Sequence, residues 1–216
     1  MKLAVLKISF LLLLVSLSSC RMWGVRGNGN LTDENRDISE FDKIEVGGAF
    51  TVNIKVGESP SLKISAEDNL IDYIRTRVHG DKLVIDTRKS ISPRKEIKID
   101  ITTPSLKDVD ASGASNIHVW NIDSDEFNVN VSGAGSLDLS GNAEDVYIDM
   151  SGAGSLDAKN LKTKSVEIDI SGAANADVYA SERLKATVSG VGNIDFYGDP
   201  KDVKSSVSGV GSINRK

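Results

Sequence analysis

The sequence predicts an all-β fold: a right-handed parallel β-helix, or solenoid, with coils of about 19 residues and a β-rich excursion near the N-terminus. Three observations predict it. A small-residue phrase occurs six times: Ser112-Gly-Ala-Ser-Asn-Ile117, Ser132-Gly-Ala-Gly-Ser-Leu137, Ser151-Gly-Ala-Gly-Ser-Leu156, Ser171-Gly-Ala-Ala-Asn-Ala176, Ser189-Gly-Val-Gly-Asn-Ile194 and Ser208-Gly-Val-Gly-Ser-Ile213. The leading serines are 20, 19, 20, 18 and 19 residues apart, a period that marks stacked coils. Apolar and polar residues alternate strictly before each phrase, as in a strand with one buried face.

With each leading serine at position zero, the inward residues fall at −5, −3 and −1. They are Phe127, Val129 and Val131, then Val146, Ile148 and Met150, then Val166, Ile168 and Ile170, then Leu184, Ala186 and Val188. Val203, Ser205 and Val207 keep the rhythm, with a serine in an inward slot. Small residues follow at +1 to +3, where glycine's conformational freedom suits a corner. Position +4 is Asn or Ser in every copy, a residue type that serves turns and stacks into ladders. Position +5 opens a second short strand. A looser turn then absorbs the variation in period. One coil buries too little to offset its own ordering, so the array folds only as an array. Parallel crossovers are almost always right-handed, which sets the expected hand.

A degenerate seventh copy lies upstream, where Ile44-Glu-Val46-Gly-Gly-Ala49 superposes on Val109-Asp-Ala111-Ser-Gly-Ala114. Gly47 precedes Ser112 by 65 residues, so this first coil carries a long excursion. Strands are expected at 61–65, 77–87 (with a turn at Gly80-Asp81) and 96–101, and a helical turn within 68–75. Together they cap the end of the stack, where an open edge invites aggregation.

Residues 1–19 read as a lipoprotein signal peptide. Lys2 and Lys7 precede the largely apolar stretch Ile8–Leu17, which is too short to span a bilayer. It ends Val15-Ser-Leu17-Ser-Ser-Cys20, a lipobox. Cys20 is the chain's single cysteine, so it is the expected lipidation site and no intrachain disulfide forms. Two or more acyl chains on Cys20 would hold the protein stably in a lipid bilayer. Arg21, the next residue, favours sorting to the outer membrane and does not distinguish its two faces. Residues 20–37 read as the acylated cysteine and a flexible tether, and 38–216 as one domain. Within it, 38–110 form the first coil with its excursion and 111–216 the regular repeats. Loss of Lys2 and Lys7 leaves 24 Lys+Arg against 31 Asp+Glu. That acidic balance argues against nucleic acid as a partner.

The best candidate for a functional surface is the column at +6: His118, Asp138, Asp157, Asp177, Asp195 and Asn214. Carboxylates about 4.8 Å apart repel by about 0.9 kcal/mol per pair even in water, so lysines, hydrogen bonds or a cation must offset them. Calcium suits carboxylate oxygens at such turns, but the nine-residue calcium repeat is absent, and solvated turn residues are the simpler reading. No metal or other cofactor is assigned. A second polar column at −2 holds Asp110, Asn130, Asp149, Asp169, Thr187 and Ser206, and the two together suggest an acidic ribbon. Trp120, at +8 beside His118, is the candidate contact aromatic. No catalytic residues are assigned: His79 and His118 sit in unrelated contexts, and the serine phrases recur in every coil.

The repeated Ser-Gly-[Ala/Val]-Gly-[Ser/Asn]-[Ile/Leu] phrase behind a lipobox resembles the head-GIN domain family of bacterial adhesin heads. The stretch Phe41-Asp-Lys-Ile-Glu-Val-Gly-Gly-Ala-Phe-Thr-Val-Asn-Ile54 is similar to that family's opening. The resemblance implies a β-solenoid acting in cell-envelope adhesion, and it carries no catalytic residues; a glycan or protein is the expected ligand. The chain shows no translocating barrel after Lys216, so the auto-transporter label is not expected to apply. Two other readings stay open: a glycan-active solenoid enzyme, and a structural envelope protein that self-associates through its ends.

Overall fold

The computed structural model describes residues 24–216. The signal peptide expected at residues 1–19, Cys20 and Arg21 lie outside the described residues. The described residues are 68% strand, wound into a parallel β-solenoid with coils of about 20 residues.

Alternation builds the first wall. Val129, Ile148, Ile168, Ala186 and Ser205 stand in register on successive coils. The column continues downward through Val109, Ile44 and Leu83. All these apolar residues are buried, and neighbouring inward residues such as Phe127 and Ile170 are fully so. The second wall follows the corner. There Ile99, Val52, Ile117, Leu137, Leu156, Ala176, Ile194 and Ile213 form the matching inward column.

The looser turn proves to be a short third wall. Ile122, Gly141 and Leu161 pair across coils, as do Ser124, Ala143 and Thr163. Register slips at its entrance, between Val119 and Ile122 and again between Asp138 and Ser140. These bulges accommodate the extra residue of the 20-residue coils. Asn121, at φ 62°, supplies the first of them; Asn tolerates this left-handed conformation better than most residues. The 18-residue coil omits the third-wall strand, running from Ala173–Tyr179 to Arg183–Val188 through a buried Ala180.

The corner glycines have a different cause from the one expected. The +1 glycines do not adopt positive φ. They are glycine because successive corners nearly touch. A Cβ on Gly133, Gly152, Gly172, Gly190 or Gly209 would sit 1.9 Å from the carbonyl oxygen of the glycine one coil before. The constraint is close backbone approach rather than backbone freedom.

The excursion also does more than cap. Lys82–Thr87 pairs parallel to Lys43–Val46, and Lys98–Thr103 pairs parallel to Thr51–Val56, so together they make a further rung beneath the first coil. Antiparallel strands close that end: Ile74–His79 joins Lys82–Thr87 through a turn at Gly80, and Ser61–Glu67 pairs with Lys98–Thr103. The helical turn is the short 3-10 segment Ile71–Tyr73.

Residues 24–37 depart from the flexible tether predicted for them. Val25–Arg26 pairs with Ile91–Ser92, and Leu31–Arg36 adds an antiparallel strand to Ser61–Glu67. Glu67 clasps this segment. Its side chain is fully buried and accepts the backbone N–H groups of Gly29 at 2.5 Å, Arg94 at 2.8 Å and Lys95 at 3.4 Å. Burial opposes ionisation of Glu67, but the three amide donors outweigh it and hold the carboxyl below its ordinary pKa.

Candidate functional site: the outward face of the second wall

Strands leaving the corner turn alternate residues outward, so positions +4, +6 and +8 share one face. The period of the repeat then stacks each position into a column.

The +6 column stands in register as expected: His118, Asp138, Asp157, Asp177, Asp195 and Asn214 are successive partners. It extends further than the phrases alone indicate, through Asn53 and Asp100 on the lower rungs. Asn53 Nδ2 donates to Asp100 Oδ1 at 2.7 Å. Beside it runs the +4 ladder, where Ser136 Oγ donates to Asn116 Oδ1 at 2.9 Å. Higher up, Asn193 Nδ2 reaches Asn175 Oδ1 at 3.1 Å and Ser212 Oγ reaches Asn193 Oδ1 at 2.8 Å. The upper part of the two columns lines a shallow open trough that includes Asp157, Asn175, Asp177 and Asp195.

Local partners offset most of the stacked charge. His118 Nδ1 lies 2.7 Å from Asp138 Oδ2, Lys159 Nζ 2.5 Å from Asp157 Oδ2, and Lys216 Nζ 3.0 Å from Asp195 Oδ2. A hydrogen bond from Asn214, with the nearby Lys216 ammonium, lowers the Asp195 pKa. The same contacts, read from the other side, raise the pKa values of Lys159 and Lys216. Asp177 has no ion pair among the described residues; burial, with Asp157 and Asp195 above and below, raises its pKa. Among the described residues, no three His, Cys, Asp or Glu side chains converge as a metal site would require.

The −2 column is also in register, from Asp110 through Asn130, Asp149, Asp169 and Thr187 to Ser206. It lies on the first wall, across the corner from the +6 column. The two acidic columns therefore occupy separate faces and do not merge into a single ribbon. Burial, with Glu45 next to it, raises the Asp110 pKa.

Position +8 was represented in the sequence reading by Trp120 alone. The same alternation brings Tyr179 and Tyr197 to this edge, paired on adjacent coils. The +8 position that holds Trp120 holds them on their own coils. Lys162 covers Tyr179, its ammonium 3.9 Å from the ring centroid. Trp120 is 42% exposed. It stands at the bulge, where register with the next coil slips, so no residue of that coil pairs with it. Its ring is offset-stacked on His118, with centroids 5.9 Å apart and planes 13° apart. Trp120, His118 and Asp138 thus lie together on one face.

Comparison with curated proteins gives no match. Among solved structures, an adhesin described as putative from Bacteroides fragilis is 26% identical, with a TM-score of 0.74 over 89% of this chain and 100% of its own. Two more that carry the same description share the fold. One, from Parabacteroides merdae, has 23% identity and a TM-score of 0.53, covering 89% of this chain and 99% of its own. The other, from Parabacteroides distasonis, has 18% identity and a TM-score of 0.54, covering 89% and 100%. Residues 40–200 match the family described as "Putative auto-transporter adhesin, head GIN domain". With most of its length matched and the repeat phrase stacked coil on coil, this chain belongs to the head GIN domain family.

Proposed function

We propose that this protein is a lipid-anchored, non-enzymatic binding module of the bacterial cell envelope. It holds the outward face of its second wall towards a glycan or protein ligand. The observation that carries this reading is the in-register face itself. Asp at +6 recurs on four consecutive coils, and Asn or Ser at +4 on all of the regular coils. A catalytic pair is needed at one place only, whereas repetition at the spacing of the coils suits an extended contact surface. The rigid stack beneath keeps these side chains on fixed backbone positions, which lowers the ordering cost of binding. The family's description as an adhesin head supports the same reading.

Anchoring is assigned to Cys20, and Arg21 beside it directs the protein to the outer membrane. Expression of the full chain in a Gram-negative host with an alkynyl palmitate tests the anchor. Label should enter the wild-type protein and be lost in Cys20→Ser; equal labelling would refute the assignment. The display role is tested by applying the leaderless chain to an array of glycans and extracellular-matrix proteins. Binding to one class is expected, and silence across the whole array would overturn the reading.

A further inference from the structure

We propose that Trp120, with His118 and Asp138, forms a stacking subsite for a neutral pyranose sugar. The inference rests on the binding-module reading and names its ligand class.

Trp120 is a large apolar ring kept partly exposed by backbone design. Asn121 holds a left-handed conformation directly after it, and the register slip leaves the ring without a partner on the next coil. Elsewhere on this edge an aromatic ring is covered, as Tyr179 is by Lys162. Trp120 is steadied from the side instead. The stacked imidazole of His118 lies nearly parallel to it, with its Nδ1 2.7 Å from Asp138 Oδ2.

The surroundings select the ligand. A pyranose presents an apolar face of axial C–H bonds and a rim of hydroxyl groups. The ring of Trp120 matches the face. The cross-strand partners of His118, Asp138 and Asn53, offer a planar carboxylate and an amide for the rim. A protein partner would favour an aromatic anchor set in a charge-depleted core. Here Asp138 adjoins the stack, and the paired Lys55 and Glu58 lie on the adjoining rung, where Lys55 is the cross-strand partner of Trp120. Asp138 beside the stack and the acidic balance of the chain disfavour uronate or sulfated chains.

The test uses the leaderless chain carrying Trp23→Phe, so that tryptophan emission reports Trp120 alone. It is titrated with the hexasaccharides of cellulose, chitin, laminarin, mannan and maltodextrin, and with a polygalacturonate hexamer. At least one neutral hexasaccharide is expected to shift the emission saturably, with the polyuronate inert. For the sugar that binds, calorimetry should show Trp120→Ala weakening affinity at least about tenfold and Trp120→Phe staying within about fivefold, since a stacking ring is retained. Circular dichroism confirms that each variant keeps its strand content. The proposal is overturned if no neutral hexasaccharide shifts the emission up to about 10 mM, a dissociation constant weaker than about 3 kcal/mol of binding would give. It is equally overturned if Trp120→Ala binds as wild type does. Array binding that survives Trp120→Ala would keep the display role and remove this subsite, so the two failures can be told apart.

Discussion

Replacing Gly152 by alanine adds one methyl group, and two opposite effects compete for the sign of the result. Gly152 lies outside the positive-φ glycines, so alanine would restrict the unfolded chain and stabilise the fold by about 0.4–1 kcal/mol if space allowed. Space does not allow it. The new Cβ would stand 1.9 Å from Gly133 O and 2.9 Å from Gly133 C, where ordinary contact begins near 3.4 Å. The coils would have to part by about 1.5 Å at this corner, well past hydrogen-bond range for the 2.9 Å bond from Ala153 N to Gly133 O. The 3.1 Å bond from Gly152 N to Val131 O would weaken with it. One backbone bond lost and one weakened at this half-exposed corner, together with the strain of overpacking, cost about 3–5 kcal/mol, so crowding wins. In a chain of this size that lowers Tm by about 6–20 °C. The assay is thermal unfolding followed by circular dichroism, with Ala153→Val as control. Residue 153 occupies the exposed +2 slot where Val191 and Val210 already stand, so the control should move Tm by no more than about 2 °C. A Gly152→Ala protein melting at or above wild type would refute the close-approach explanation of the corner.

Two further predictions concern pH. Asp177 has a raised pKa in the fold, so its ionised form costs stability above that pKa and the cost fades as pH falls through it. Asp177→Asn, which puts at this coil the residue found at Asn53 and Asn214, should raise Tm on the order of 1 °C at pH 7 and leave it unchanged near pH 3. Glu67 has the opposite sign. Its pKa is lowered, so its contribution is present above the ordinary carboxylate range and is lost as pH falls through the lowered value. Glu67→Gln places an amide donor against backbone donors. It should lower Tm by about 2–6 °C at pH 7 and speed hydrogen exchange over 24–36, with the gap to wild type closing towards pH 3. An unchanged exchange pattern would remove Glu67 as the clasp of that segment.

The repeating part of the fold was legible because its causes are local and periodic. Val129, Ile148 and Ile168 alternate with polar neighbours and recur at a fixed interval, so side and register follow from counting. The +6 column was legible for the same reason. What the sequence hid depended on contacts without periodicity. Leu31–Arg36 looks like a polar linker because its strand has one weakly buried side and joins an edge 30 residues away. Glu67 reads as an ordinary surface acid until its three amide donors are seen together. The +1 glycines were identified correctly but explained by the wrong cause, since crowding between coils is invisible in any one copy; at +3, Gly135 does take the positive φ expected there. Tyr179 and Tyr197 were accessible to the same alternation, at the +8 position that Trp120 holds on its own coil.

The third wall has a consequence for how such a molecule changes length. Corners are locked by carbonyls against glycines, but bulges beside Trp120 and after Asp138 let neighbouring windings differ by one residue without disturbing either lock. Duplicating or deleting a whole winding therefore meets the same junction on both sides. The height of the pillar can grow or shrink by about 4.8 Å at a time while the chemistry of its flank is copied unchanged.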